Sequence, residues 1–236
     1  MDGEDDGVLR VVVLFPELLG TYGDAGNGLV LAQRARRRGT ECELVSVGLH
    51  DPLPDADIYL LGGGEDGPQR LACDLLARSS FAERIGDGVH VVAVCAGLQL
   101  LGHSFCVEGD DEYAGLGVVD VVTRRGTTRS VGEMAVDVDG RLLVGFENHG
   151  GRTTLGAGVP PLGKMVHGRG NDGAVDGFRT GSIWATYAHG PVLAMNPWFC
   201  DEVLSSVLGR TLEPLHGAAD LLYAQRCAVL SPRSRA

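Results

Sequence analysis

The apolar positions of this chain fall into two regimes. LRVVVLF, residues 9–15, is a continuous β-branched run, the pattern of a strand covered on both faces. PELLGTYGDAGN, 16–27, reads as a loop rich in Gly and Asp, and GLVLAQRARRR as a helix that Gly39 stops. Asn27 or Asp24 is the candidate cap of that helix, and its arginines, Arg34, Arg36, Arg37 and Arg38, predict a solvated basic face. ECELVSVGL, 41–49, alternates as a second strand, and DIYLLGGG, 57–64, is a third that ends in three glycines. PQRLACDLLARSSFAERIG, 68–86, sets Leu71, Leu75, Leu76 and Phe81 at helical spacing. Val91–Val94 is a fourth strand, and a leucine-rich helix starts after Cys95. The order β-α-β-β-α-β-α predicts an α/β fold: a mostly parallel sheet with helices on both faces.

The second half has a different period. VGEMAVDV and RLLVGFE flank Asp139-Gly140, a strong hairpin signal. GKMVHG, AVDGFRTG and SIWATYAHG continue as short strands with Gly turns, and two helices follow near 197–209 and 216–227. This part is therefore β-rich. Residues 1–8 are expected to be a disordered acidic tail and 9–236 a single domain.

Composition narrows the class. The formal charge is −11, which argues against a nucleic-acid or anionic-membrane surface. No apolar run reaches membrane-spanning length, and the acidic opening MDGEDDG is unlike a signal peptide. The six cysteines are scattered, with no metal-like spacing, so no metal site is expected. Free thiols in a cytoplasmic protein are the simplest reading.

Cys95 carries the chemistry. It stands between a strand end and a helix start, followed by the small residues Ala96 and Gly97. That is the arrangement of a nucleophile elbow, in which a tight turn pushes the side chain out of the sheet. Free N–H groups at a helix start favour negative charge there, and the thiolate is the reactive form of cysteine. Alone, a cysteine is more often inert core. A nucleophile of this kind needs a base. His189 follows an apolar strand and precedes Gly190-Pro191, while His149, in GFENHGGRT, is expected in a polar loop bounded by Gly. Spacing leaves the two histidines nearly equal. Oxyanion donors are expected from the backbone of Ala96 and of Gly63 or Gly64.

With these residues in view, the chain resembles a known family. Cys95-Ala96-Gly97-Leu98-Gln99 is similar to the C-x-G-x-Q elbow of class I glutamine amidotransferases, and AHGPVLAMNP resembles the ending of their CobB/CobQ-like branch. FPELLGTYGDAGN and GFENHGGRT are similar to the GatD family of glutaminase subunits. The resemblance implies a flavodoxin-like class I amidotransferase fold, with Cys95 as nucleophile and His189 as base and then acid. It implies glutamine binding by Arg129 and Gln99, and Gly62–Gly64 as the oxyanion loop. It implies a heterodimer in which ammonia from L-glutamine passes to a Mur-ligase-like partner, MurT. That partner would bind ATP and amidate the D-glutamate α-carboxyl of lipid II for peptidoglycan synthesis. No cofactor is expected on this chain. The roles of Glu147, Asn148 and His149 stay open.

Two departures from the pattern matter. Ala93 stands where the elbow usually begins with Gly, a small change. Pro191 stands where other branches place a Glu two residues after the histidine. Either a Cys–His dyad acts alone, or a carboxylate comes from elsewhere. The partner could bring it, in which case the free subunit would be slow. Asp24 and Glu17 are the candidates within this chain, because their loop follows a strand carboxyl end. The competing functions are a cobalamin-pathway amidase, a PfpI-like cysteine hydrolase and a regulatory pseudoenzyme.

Overall fold

The computed structural model describes residues 7–106 and 111–230. Residues 1–6 of the acidic segment lie outside them. The first part runs β1 (Leu9–Leu14), α1 (Gly26–Arg36), β2 (Cys42–Val47), β3 (Ile58–Leu61), α2 (Asp66–Ala77), α3 (Phe81–Gly86), β4 (His90–Val94) and α4 (Ala96–Leu100). Next come β5 (Ser104–Cys106), β6 (Glu112–Ala114), β7 (Val121–Val138), β8 (Arg141–Leu155), β9 (Gly163–His167), β10 (Val175–Asp176), β11 (Phe178–Thr180) and β12 (Ile183–Thr186). The helices α5 (Val192–Met195), α6 (Pro197–Val207) and α7 (Ala218–Leu230) follow.

The main sheet has the order β11-β12-β4-β3-β1-β2, and every neighbouring pair is parallel except β11 with β12. Its strands are continuous apolar runs because both faces are covered: Val11–Leu14, Ile58–Leu61 and Val91–Val94 are all buried. The second sheet, β10-β9-β7-β5-β6 with β8 paired to β7, is mostly antiparallel. The expected α/β architecture is the one observed, and the β-rich second half is a sheet in its own right.

Several expectations are corrected. The helix over 68–86 divides into α2 and α3 because the Ser79 hydroxyl donates to the Leu76 carbonyl and accepts from the Phe81 N–H. Neither Asp24 nor Asn27 caps α1: the N-cap position is Ala25, with no side-chain cap. Asn27 instead accepts from the Leu193 N–H, and Asp24 is committed elsewhere. The arginines of α1 are not one solvated face. Arg34 is buried and grips Asp201 of α6 through two hydrogen bonds, Arg38 adds a second contact to Asp201, and Arg36 donates to the Cys42 carbonyl. The hairpin at Asp139-Gly140 exists, with both turn residues at positive φ, but its strands extend much further than the sequence signal. GFENHGGRT is therefore strand β8 rather than a loop. The short elements β5, β6 and α5 carry too few residues to show a period.

The connectivity matters most at β12. After the whole second sheet, the chain returns to pair parallel with β4, with Thr186 beside Val94. The ends of β4, β12, β3 and β1 then share one edge, where ligands bind in open α/β sheets.

Candidate active site

Cys95 follows β4 directly and holds φ 52° and ψ −104°, a backbone conformation rare for a residue with a side chain. Such strain costs on the order of 1–3 kcal/mol and persists where the surroundings enforce it. Here the Cys95 N–H donates to the Thr186 carbonyl of β12 at 2.9 Å, and the Gly97 N–H donates to the Gly62 carbonyl at 3.1 Å. Gly97 is required by close approach: a Cβ there would sit 2.6 Å from the Leu61 Cβ. The elbow is thus wedged between β12 and the glycine loop.

His189 lies three residues beyond Thr186 and is 1% exposed. Its backbone pairs with Phe146 of β8 in both directions. Its Nδ1 is 2.7 Å from a carboxylate oxygen of Asp24, a residue itself 2% exposed. Burial pulls the imidazole down, but Asp24 and then Cys95, by hydrogen bonding and charge, outweigh it, and the net pKa rises to about 10. No hydrogen bond of good geometry reaches the buried Nε2, although Cys95 is near enough to act on the ring. Loose contacts of this kind are usual before substrate binds. Asp24 thus occupies the place left open by Pro191, which sits at the N-cap of α5. The idea that a carboxylate must come from outside the chain loses its motive. Glu17, the other candidate, accepts from the Leu49 N–H instead.

The glycine loop is only partly as expected. The Gly63 N–H donates to the same Asp24 oxygen that meets His189, at 2.9 Å, so it is not a free oxyanion donor in this arrangement. Gly64 lines the cleft beside Cys95. Ala96 is the first residue of α4, where backbone N–H groups have no partner within the helix.

A cleft of about 610 Å³ opens over these residues, walled in part by Cys95, Gln99, Arg129, Asn148, His149 and His189. Gln99 donates to the Tyr187 hydroxyl and accepts from Gln69, so its carboxamide is fixed from both sides. Arg129 reaches the rim because the β7–β8 register breaks between Arg125 and Ser130, which re-aims the intervening residues. His149, the rival base, is held otherwise. Its Nδ1 faces the Gly151 carbonyl, its Nε2 faces Glu147, and its ring stacks on Tyr187 at 3.8 Å. Burial pushes the Glu147 carboxyl up, but His149 and the N–H groups of Gly170 and Arg169 more than offset it and hold it below the ordinary range. His149 is thus a buttress of the cleft wall. Among the described residues no cluster of His, Cys, Asp and Glu is arranged to hold a metal.

A strained cysteine, a buried histidine and a buried aspartate come together at the carboxyl edge of a parallel sheet, residue types that acyl transfer uses as nucleophile, base and orienting acid. The comparisons agree with that class. The CobB/CobQ-like glutamine amidotransferase domain matches residues 10–197, and the chain belongs to that family. It is 32% identical to the lipid II isoglutaminyl synthase (glutamine-hydrolyzing) subunit GatD of Staphylococcus aureus, over 86% of this chain and 85% of that one. It is 36% identical to the GatD subunit of Streptococcus pneumoniae, over 88% and 83%. A cobyric acid synthase of Pelotomaculum thermopropionicum is 29% identical, over 80% of this chain but 38% of its own. A crystal structure of a glutamine amidotransferase superposes with a TM-score of 0.58 at 21% identity, covering 86% of this chain and all of the other, which shows the shared fold. The protein is a glutamine amidotransferase of GatD type.

Proposed function

We propose that this protein is the glutaminase subunit of a lipid II isoglutaminyl synthase, with Cys95, His189 and Asp24 as its catalytic set. The observation that carries the chemistry is the Asp24–His189 contact beside a strained Cys95. The proton of the Cys95–His189 pair rests on His189 Nε2, and Cys95 Sγ attacks the side-chain amide carbon of glutamine. The same nitrogen returns the proton to the departing nitrogen, and ammonia leaves a glutamyl thioester. Water then attacks the thioester carbon, giving its proton to His189. The C–S bond breaks, glutamate departs and the thiol is restored. N–H groups of Ala96 and Gly64 would stabilise the oxyanion, and Arg129 and Gln99 would hold the substrate.

Coverage favours this over a cobalamin-type amidase: the match spans most of both GatD chains but 38% of the cobyric acid synthase. The client of the ammonia is then a MurT-like ligase that binds ATP and amidates the D-glutamate α-carboxyl of lipid II. A cytoplasmic site of action follows, because ATP must be at hand. No helix among the described residues is long and apolar enough to cross a membrane.

The test has two arms. Glutamate release is measured for the wild type, Cys95→Ala and His189→Ala with the ligase partner present. Retained turnover in either variant removes that residue from its role. Purification from the native cell should bring down a Mur-ligase-like companion; a cobalamin-pathway synthetase instead would transfer the protein to the rival reading.

A further inference from the structure

Asn148, which neither the elbow nor the triad uses, sits between two parts of the site. Its side-chain oxygen accepts from Arg129 Nε at 2.5 Å, and its backbone carbonyl makes a longer contact, 3.4 Å, with Arg129 Nη2. Its amide nitrogen donates to the Tyr22 hydroxyl. The orientation of the carboxamide follows from chemistry: a guanidinium N–H can only donate, so the oxygen must face Arg129. Arg129 Nη1 has no hydrogen-bond partner among the described residues. Asn148 therefore occupies the inner edge of the guanidinium and leaves its outer end open toward the cleft that both residues line.

Tyr22 completes the bridge. Its backbone is left-handed, φ 60°, uncommon for an aromatic residue. The residue is 44% exposed, yet its ring meets His189 edge-on at 4.9 Å and Phe146 at 5.8 Å. The preceding residue, Thr21, is tied to the glycine loop by its N–H to the Gly63 carbonyl. The loop that places Asp24 on one side of the catalytic imidazole thus places Tyr22 on another.

We propose that Asn148 is a positioning residue for substrate. It clamps Arg129 by its Nε edge so that the free end of the fork meets the α-carboxylate of glutamine, and Tyr22 in turn fixes the carboxamide. This rests on the glutaminase reading above. A guanidinium free to rotate would lose much of its geometric match to a carboxylate, and the loss would appear in binding rather than in turnover.

The experiment is steady-state glutaminase kinetics on the full chain. Asn148→Ala should raise the KM for L-glutamine about tenfold and leave kcat within about threefold. With L-glutamine α-methyl ester, which has no α-carboxylate, wild type and Asn148→Ala should share one KM. The Arg129→Ala/Asn148→Ala double variant should be no worse than Arg129→Ala alone. Tyr22→Phe, which removes one hydroxyl, should raise the KM about threefold, and it answers the question should Asn148→Ala fold poorly. An unchanged KM, an equal penalty on the ester, or additive effects in the double variant would each overturn the proposal while wild-type turnover stands. Absence of glutaminase activity in the wild type would overturn the reading beneath it as well.

Discussion

Asp24→Asn is the substitution that bears most directly on the triad. The variant keeps the volume of the side chain and removes the charge beneath His189. An imidazole moved from its ordinary 6.5 to about 10 prefers its protonated form by roughly 5 kcal/mol, net of the burial that opposes it. Among the groups that raise it Asp24 comes first, through its hydrogen bond to Nδ1. Losing a charged hydrogen bond of this kind, about 3 kcal/mol, corresponds to a loss of about a hundredfold in glutaminase kcat, since the imidazolium loses its counter-charge. The assay is glutamate release at saturating glutamine from pH 6 to pH 10. The sign of the stability effect is fixed as well. His189 holds its proton up to about pH 10 when folded and to about 6.5 when unfolded. Its stabilising contribution is whole below 6.5, falls as pH rises from there, and is gone above about 10. The Tm gap between wild type and Asp24→Asn should therefore be widest at pH 6 and narrow toward pH 10. Turnover within threefold of wild type, with a pH-independent Tm gap, would show that the 2.7 Å contact is structural and that another group serves His189.

Three further outcomes are expected. Burial pushes the fully buried Asp176 carboxyl up to about 6, against hydrogen bonds from Thr186 and the Tyr187 N–H that act the other way. Its effect on stability is favourable below the unfolded pKa near 3.9 and declines as pH rises to about 6, so Asp176→Asn should raise Tm at pH 8 relative to wild type and lose that advantage at pH 4, as thermal melts would record. Tyr187→Phe removes a buried hydroxyl bonded to Thr153 and Gln99, which should cost about 1–2 kcal/mol in urea unfolding and raise the KM for glutamine through the loosened Gln99. Gly28→Ala puts a methyl 2.7 Å from Val13 and 2.9 Å from Leu44 where α1 lies on the sheet, and denaturation should show a loss of about 1–3 kcal/mol with turnover preserved in the folded fraction.

Much of the architecture was legible in local patterns. A strand covered on both faces must be apolar at every position, so β1, β3 and β4 stand out as unbroken runs. The elbow was legible because a nucleophile forced out of a tight turn needs small residues after it, and Ala96 and Gly97 supply them. The reach of β7 and β8 was not, because Gly and polar residues in GFENHGGRT serve a cleft wall and hide the strand period.

What one dimension determined here is the class of fold, a candidate nucleophile and a short choice of bases. What only the folded chain decided is which groups meet. His189 stands beside Cys95 because β12 pairs parallel with β4 after the chain has built a second sheet, and no local period encodes that return. Asp24 was legible in two ways, as an N-cap, because Asp before a helix commonly caps it, and beside Glu17 as a candidate acid for the histidine. Burial against an imidazole makes the stronger demand on a carboxylate than an exposed helix end does, and that competition is settled only where the two side chains are brought together.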